Sequence, residues 1–178
     1  MKKLFVIDLD GTLYKTNTFH RWIFFSLKKS LYINFIDTLR ISLILIMRIF
    51  KIINHSDMKK KILLITEKED YLKLIDIFIL EINQYLNKKL LDSIFKEDSI
   101  KILATAAPEI YVKKISNNLK FDYYLSTPSV HNVYWYENIR ENKKKNLQAF
   151  LSDYSLSNID RFYTDHFDDI HVMKISSK

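Results

Sequence analysis

The stretch Leu4-Phe5-Val6-Ile7-Asp8-Leu9-Asp10-Gly11-Thr12 decides how the rest of the chain is read. Four consecutive apolar residues that stop abruptly at an acid read as a short buried strand. Alternation along the strand points Asp8 and Asp10 to the same side, and Gly11 lets the chain turn. Gly11 is the only glycine in the protein. Taken alone, an Asp-Gly pair after a strand is an ordinary turn, so its meaning depends on what stands elsewhere.

Two further short runs end on polar residues in the same way. Ile102-Leu103-Ala104 stops at Thr105, and Phe162-Tyr163 stops at Thr164-Asp165. In open α/β sheets the carboxyl ends of strands line the ligand crevice, so three polar strand ends remote in sequence are expected to meet at one site. Tyr123-Tyr124-Leu125-Ser126 reads as another strand and Val133-Tyr134-Trp135-Tyr136 as a further candidate. Pro108 and Glu109 suit the first turn of a helix running to about Asn118. A last helix is expected from about Asn142 to Tyr154, with Leu147, Phe150 and Leu151 at helical spacing.

Between the first two strands, Phe19 to Lys101 contains neither Gly nor Pro and is rich in Leu, Ile and Lys, which predicts an all-helical insertion. Within it, Asp37, Arg40, Arg48 and Lys51 fall in an arc of about 80° at roughly 100° per residue. They leave a wide apolar surface of Phe35, Ile36, Leu39, Leu43, Leu45, Ile46 and Phe50. Such a helix must cover something. The candidates are its neighbours Ser56 to Thr66 and Asp70 to Phe95, or a membrane surface or lipid-like substrate drawn by its basic residues.

The 178 residues, 48% of them hydrophobic, suffice for one core, and the absence of cysteine excludes disulfides, thiolate zinc sites and cysteine nucleophiles. One Gly and two Pro exclude collagen-like and flexible-linker architectures. The net charge of +7 attracts anions, although an Ile-, Lys- and Asn-rich compositional bias gives the same number. No nucleic-acid partner is expected, because no aromatic-flanked basic motif occurs. Lys59-Lys60-Lys61 and two members of Lys143-Lys144-Lys145 read as solvated. Asp8 and Asp10 interrupt the N-terminal apolar run too early for a secretory segment, which predicts a cytoplasmic start. Asp37, Arg40 and Arg48 keep the most apolar helix well short of the ~20 residues that span a bilayer.

Together these residues resemble the haloacid dehalogenase-like superfamily of aspartate-nucleophile phosphohydrolases. Asp8-Leu9-Asp10-Gly11-Thr12 resembles its first motif and Ile102-Leu103-Ala104-Thr105 its second. The continuation Ala106-Ala107-Pro108-Glu109-Ile110-Tyr111 is similar to the phosphoserine-phosphatase-like branch. Lys143, with Leu147 four residues on, resembles the third motif, Lys144 and Lys145 being alternatives. Tyr163-Thr164-Asp165 with Asp169 resembles the fourth.

The resemblance implies an α/β fold: a Rossmann-like three-layer parallel-sheet core from residues 1–18 and 97–178, with an all-helical cap domain, residues 19–96, inserted after the first strand. It also implies a Mg²⁺-dependent phosphatase acting on a small-molecule phosphomonoester. Asp8 would be the nucleophile forming an aspartyl-phosphate, and Asp10 the acid that protonates the leaving group and then activates water. Thr105 would bind a phosphoryl oxygen, and Lys143 would hold the phosphate charge and steady Asp8. Asp8, the Asp10 carbonyl and Asp165 would hold the metal, with Asp169 supporting the metal shell or the lysine. Gly11, Thr12, Asn17 and Ala106 would lie beside the substrate. Four carboxylates within ~4 to 6 Å repel by roughly 3 to 4 kcal/mol per pair, which a cation and an ammonium relieve. Oxygen-only ligands favour Mg²⁺.

Asp10 separates reaction classes, since dehalogenase members lack an aspartate there and transport ATPases carry Thr. Substrate choice is expected in the cap and in Tyr14 to Trp22. Phosphoserine phosphatases carry an acid seven positions after the second motif-one aspartate, where this chain has Asn17, so the resemblance points instead to a small sugar, polyol or amino-alcohol phosphate. The alternatives are a phosphatidylglycerophosphate-type lipid phosphate, whose branch has a similarly apolar, basic cap, and a weakly active phosphate-binding homologue. His20, Arg21, His131 and His166 read either as surface or packing residues or as substrate contacts, with His166 best placed. The chain stops nine residues after Asp169, where the family adds a strand. An open sheet edge is therefore expected, covered by the cap or by a partner in a monomer or homodimer.

Overall fold

In the computed structural model of the chain, which describes residues 2–156 and 158–177, the opening apolar run forms strand β1 (Lys3–Ile7). It lies inside a sheet of four strands with β2 (Ser99–Pro108), β3 (Tyr123–Thr127) and β4 (Arg161–Tyr163) in the order β3-β2-β1-β4. Every pairing is parallel. A parallel sheet is covered on both faces, and the strands show it. Leu4, Val6, Ile102 and Ala104 pack with Leu147 and Phe150 of α8 (Arg140–Asp153) and Val172 of α9 (Ile170–Met173). Phe5, Ile7 and Leu103 pack on the other face, with Tyr111, Val112 and Ile115 of α7 (Glu109–Asn118).

The insertion folds as six helices, α1 (Thr18–Ile33), α2 (Phe35–Ile49), α3 (His55–Thr66), α4 (Glu69–Leu72), α5 (Ile75–Ile82) and α6 (Lys88–Phe95). Their caps are written in the sequence. Asn17, Asn34, Asn54 and Asn87 each accept a backbone N–H in the first turn of the helix that follows. An aromatic cluster ties insertion to core: the Phe78 ring lies 4.9 Å from Trp22 and 5.2 Å from Tyr111. Trp22 also donates to Thr66 Oγ1 at 3.1 Å.

Four expectations change. Val133 to Tyr136 is not a strand: Val133 and Tyr134 are exposed, and the Tyr134 N–H bonds to the Asn132 side chain in a turn. The stretch expected as one helical neighbour over 70–95 is broken into α4, α5, a 3-10 turn (Asn83–Tyr85) and α6. β2 does not end at Thr105 but continues through a register irregularity to Pro108, which caps α7 instead of opening it. Finally, α2 packs through Asp37, Ile41 and Ile44, leaving Phe35, Ile36, Leu39, Leu43, Ile46 and Phe50 outward. Asp37 can face inward because Lys68 Nζ reaches its two oxygens at 3.0 Å and the Tyr71 hydroxyl donates to it.

β4 forms one edge of the sheet. Beyond it the Ser177 N–H donates to Ile159 O at 2.8 Å, so the segment after α9 lies alongside the approach to the edge strand.

Candidate active site

The site is assembled where β1 and β4 end. Asp8 follows β1 directly, and its N–H continues the ladder onto Tyr163 O at 2.9 Å. The chain then turns through Gly11, at φ +80°, and the Gly11 N–H closes the turn onto Tyr14 O at 2.8 Å. A Cβ at Gly11 would stand 2.1 Å from Asp165 Oδ2, so only glycine lets the two loops approach. Thr12 Oγ1 donates to Asp165 Oδ1 at 3.1 Å, fixing the loop after β4 against the loop after β1.

Lys143, in the first turn of α8, is the buried member of its lysine run; Lys145 is exposed and Lys144 pairs with Glu141. Its Nζ lies 2.8 Å from Asp8 Oδ1 and 2.9 and 2.8 Å from the two oxygens of Asp169. Asp169 also accepts from Thr164 Oγ1 at 2.7 Å, which places its carboxylate on the lysine. Asp10 points elsewhere. Its Oδ1 accepts from the Thr18 N–H at 2.8 Å and the Thr18 hydroxyl at 2.6 Å, at the start of α1. The loop after β1 is thereby bonded to the first residue of the helical insertion, where unpaired N–H groups favour a carboxylate.

Thr105 is buried within β2, and its Oγ1 accepts from the Ala107 N–H at 3.0 Å, leaving its own proton free to be donated. Ala106 O accepts from Thr127 Oγ1 at 2.6 Å and from Lys59 Nζ at 3.2 Å. A cavity of about 580 Å³ joins these groups, with Asp8, Asp10, Gly11, Asn17, Thr105, Ala106, Lys143, Asp165 and Asp169 in its wall. Thr12 is buried behind that wall.

Among the histidines and arginine read as ambiguous, His166 lines the cavity. Its Nδ1 accepts the Asp168 N–H. Arg21 bonds to Thr16 Oγ1 and stacks over Tyr85 outside the cavity, and His131 stands exposed near Glu67. Asn17 faces the cavity while its side chain caps α1 through the His20 N–H.

One expectation is overturned here. Lys59 is not solvated: it is buried, and its ammonium pairs with Glu137 as well as Ala106 O. Lys59 and His55 bring α3 to the cavity, and Glu137 and Asn138 bring the loop before α8. Asn138 holds that loop on the sheet, donating to Thr105 O at 2.9 Å and Leu125 O at 3.1 Å. No sequence signal marks this group, since its members are remote and each resembles an ordinary polar surface residue.

Burial dominates the electrostatics. It raises the Asp8 carboxyl to about 7, against the pull of the Lys143 ammonium and with the Asp169 charge adding to the rise. Burial also raises Asp10, opposed by the two Thr18 hydrogen bonds. For Lys143 burial works to lower the pKa, but the charges of Asp8 and Asp169 outweigh it and hold the ammonium. The site thus carries more carboxylate than its ammonium can balance.

Among the described residues no group of three or more acidic or histidine side chains converges tightly enough to hold a metal unaided. Magnesium does not need one, because it keeps several waters and binds through one or two carboxylates and substrate phosphate. Asp8, the Asp10 carbonyl and Asp165 offer oxygen only, beside a surplus of negative charge, and this donor set suits Mg²⁺.

Comparison with known proteins agrees with this geometry. The sequence matches the haloacid dehalogenase-like hydrolases over residues 5–174. No curated protein matches it. A protein of unknown function from Bordetella pertussis Tohama I shares its fold at a TM-score of 0.80 and 15% identity, over 98% of this chain and 86% of that one. A phosphoserine phosphatase solved as a phospho-aspartyl intermediate analogue aligns at 0.60 and 15%, over 97% and 82%. A hydrolase of the same family from Salmonella enterica serovar Typhi aligns at 0.59 and 11%, over 97% of this chain and 59% of its own. At these identities the likeness is one of fold.

Proposed function

Because the chain belongs to the haloacid dehalogenase-like hydrolases, we propose that it is a Mg²⁺-dependent phosphatase working through an aspartyl-phosphate on Asp8, with a small sugar, polyol or amino-alcohol phosphate as substrate. The observation that carries this reading is the division of labour between two neighbouring carboxyls. Asp8 is held by the Lys143 ammonium at 2.8 Å, while Asp10 is turned to Thr18 and raised by burial. One is kept in place as a nucleophile and the other is suited to carry a proton.

In the first step an Asp8 carboxylate oxygen attacks phosphorus in line with the leaving oxygen. The phosphorus–ester bond breaks, and the leaving oxygen takes its proton from Asp10. In the second step Asp10, now a carboxylate, takes a proton from water as the water oxygen attacks the same phosphorus. Inorganic phosphate leaves and Asp8 is restored. Thr105 donates its hydroxyl to a phosphoryl oxygen, and Lys143 balances the charge and keeps Asp8 aimed. Magnesium held by Asp8, Asp165 and the Asp10 carbonyl would neutralise phosphoryl charge that one ammonium cannot. Lys59 and His55 face the cavity from the helical insertion and would meet the remainder of the substrate.

A second reading, a phosphatidylglycerophosphate-type lipid phosphate, is favoured by the exposed Ile49, Phe50 and Ile52, which immediately precede the cavity-lining His55. Phosphate release from sugar, polyol, amino-alcohol, phosphoserine and lipid phosphates, with Mg²⁺ or EDTA, tests both. The proposal expects Mg²⁺-dependent release that disappears in Asp8→Asn, highest on the small polyhydroxy or amino-alcohol esters. Highest release on lipid phosphate moves the substrate to the second reading. No release from any compound overturns the catalytic assignment.

A further inference from the structure

The outward stripe of α2 has no place in the chemistry. Phe35, Ile36, Leu39, Leu43, Ile46 and Phe50 follow the helix along its full length, about 22 Å for 15 residues. Each is exposed, Phe50 by 73%. The apolar surface continues past both ends of the helix, through Leu31 and Tyr32 before it and through Ile52 after it, Tyr32 being 86% exposed. Soluble monomers rarely leave an apolar patch of this extent uncovered, and such patches mark interaction sites.

The charges around the stripe select the partner. From Phe35 to Ser56 the chain carries three basic residues, Arg40, Arg48 and Lys51, and a single acid, Asp37. Asp37 is buried and held by Lys68, with Arg40 3.6 Å from the same carboxylate, so the stretch has no exposed acid. Arg40 flanks the stripe and Lys51 follows its last member, both exposed. A second copy seated face to face would bring these like charges together, whereas an anionic lipid surface meets both the apolar stripe and its cationic margin. No helix among the described residues is long and apolar enough to cross a membrane, so the contact would lie in the interfacial plane.

We propose that the α2 face is a peripheral docking surface for anionic lipid bilayers. The apolar stripe enters the headgroup boundary and the flanking Lys and Arg contact lipid phosphates. Ile52 is only three positions from His55 in the cavity wall, at most roughly 11 Å of chain, so docking carries the mouth of the active site to the bilayer surface. The inference rests on α2 alone and stands whichever phosphate ester is cleaved.

Vesicle co-sedimentation of the full chain tests it, comparing phosphatidylcholine vesicles with vesicles containing phosphatidylglycerol at low and high salt. Two variants accompany it, Leu39→Ser/Leu43→Ser/Ile46→Ser on the stripe and Arg40→Glu/Lys51→Glu on its margin, with circular dichroism and phosphate release from a soluble ester as checks of folding. The expected result is binding to anionic vesicles only, weakened by salt. Both variants should lose it, the charge reversal by tenfold or more at roughly fivefold per basic residue removed. Absence of binding by the folded wild-type chain overturns the proposal. So does concentration-dependent self-association that the stripe variant abolishes without any vesicle binding, which would assign the face to a second copy.

Discussion

Asp8 is asked to be two things that conflict: a buried group and an anion. Burial raises its carboxyl from 3.8 to about 7, so without metal the folded chain holds a proton that the unfolded chain releases. The stability from this group is complete below about pH 3.8, falls as pH rises and is gone above about 7. In EDTA, the unfolding free energy from urea denaturation should therefore decline more steeply between about pH 5 and pH 7 for the wild type than for Asp8→Asn. Parallel slopes would show that Asp8 is not desolvated as described. Asp10→Asn removes the proposed proton donor and should lower turnover of alkyl phosphates by about 10² to 10⁴. For an ester whose leaving group needs no proton, the first step should be spared and the loss should fall on breakdown of the phosphoenzyme. Gly11→Ala places a Cβ on Asp165 in a left-handed backbone, and should cost roughly 1 to 2 kcal/mol for the conformation alone, together with most of the activity.

At the scale of elements, the helical insertion meets the catalytic core through Asp10 on α1 and through Lys59 of α3 on Glu137 and Ala106. Lys59→Ala leaves the half-buried Glu137 carboxylate without its ammonium and should lower stability in chemical denaturation. Adding Glu137→Gln should recover part of that loss in chemical denaturation, and a strictly additive pair would contradict the contact. This latch was not legible in the sequence, because Lys59 and Glu137 are 78 residues apart and Lys59 stands in a run that looks solvated. The opposite holds for Asp8, Asp10, Thr105 and Asp165. Each follows or belongs to an apolar strand, so their convergence could be read from strand ends alone. Lys143 lay between: helix phase narrows the choice to neighbours, and only the position of Asp8 and Asp169 selects one of three lysines. Val133 to Tyr136 misled because β-prone composition makes a strand only where an edge accepts it, and this segment is instead held by α3, where Lys60 lies over the Trp135 ring. The two faces of α2 were visible as a pattern, but which faced inward depended on Lys68 and Tyr71 being ready to receive Asp37.

For the molecule as a whole, stability is tied to ligand. Asp8 and Asp165 carry negative charge that the proposed Mg²⁺ would balance, so Mg²⁺ at a hundredfold excess over its dissociation constant should stabilise the fold by about 2.7 kcal/mol. That corresponds to roughly 5 to 10 °C in Tm for a chain of this size. Asp165→Ala should abolish the shift while leaving the metal-free Tm nearly unchanged, because Asp165 is exposed. A shift that persists in Asp165→Ala would place the ion elsewhere. The proposed aspartyl-phosphate is a covalent species, and one measurement detects it directly. Asp10→Asn mixed with p-nitrophenyl phosphate and Mg²⁺ should release one equivalent of nitrophenolate rapidly and then stall, since the leaving group needs no proton but the second step lacks its base. Mass spectrometry of the acid-quenched protein should then place a single phosphoryl group on the peptide containing Asp8. A phosphoryl group on any other residue, or steady turnover by Asp8→Asn, would exclude Asp8 as the nucleophile.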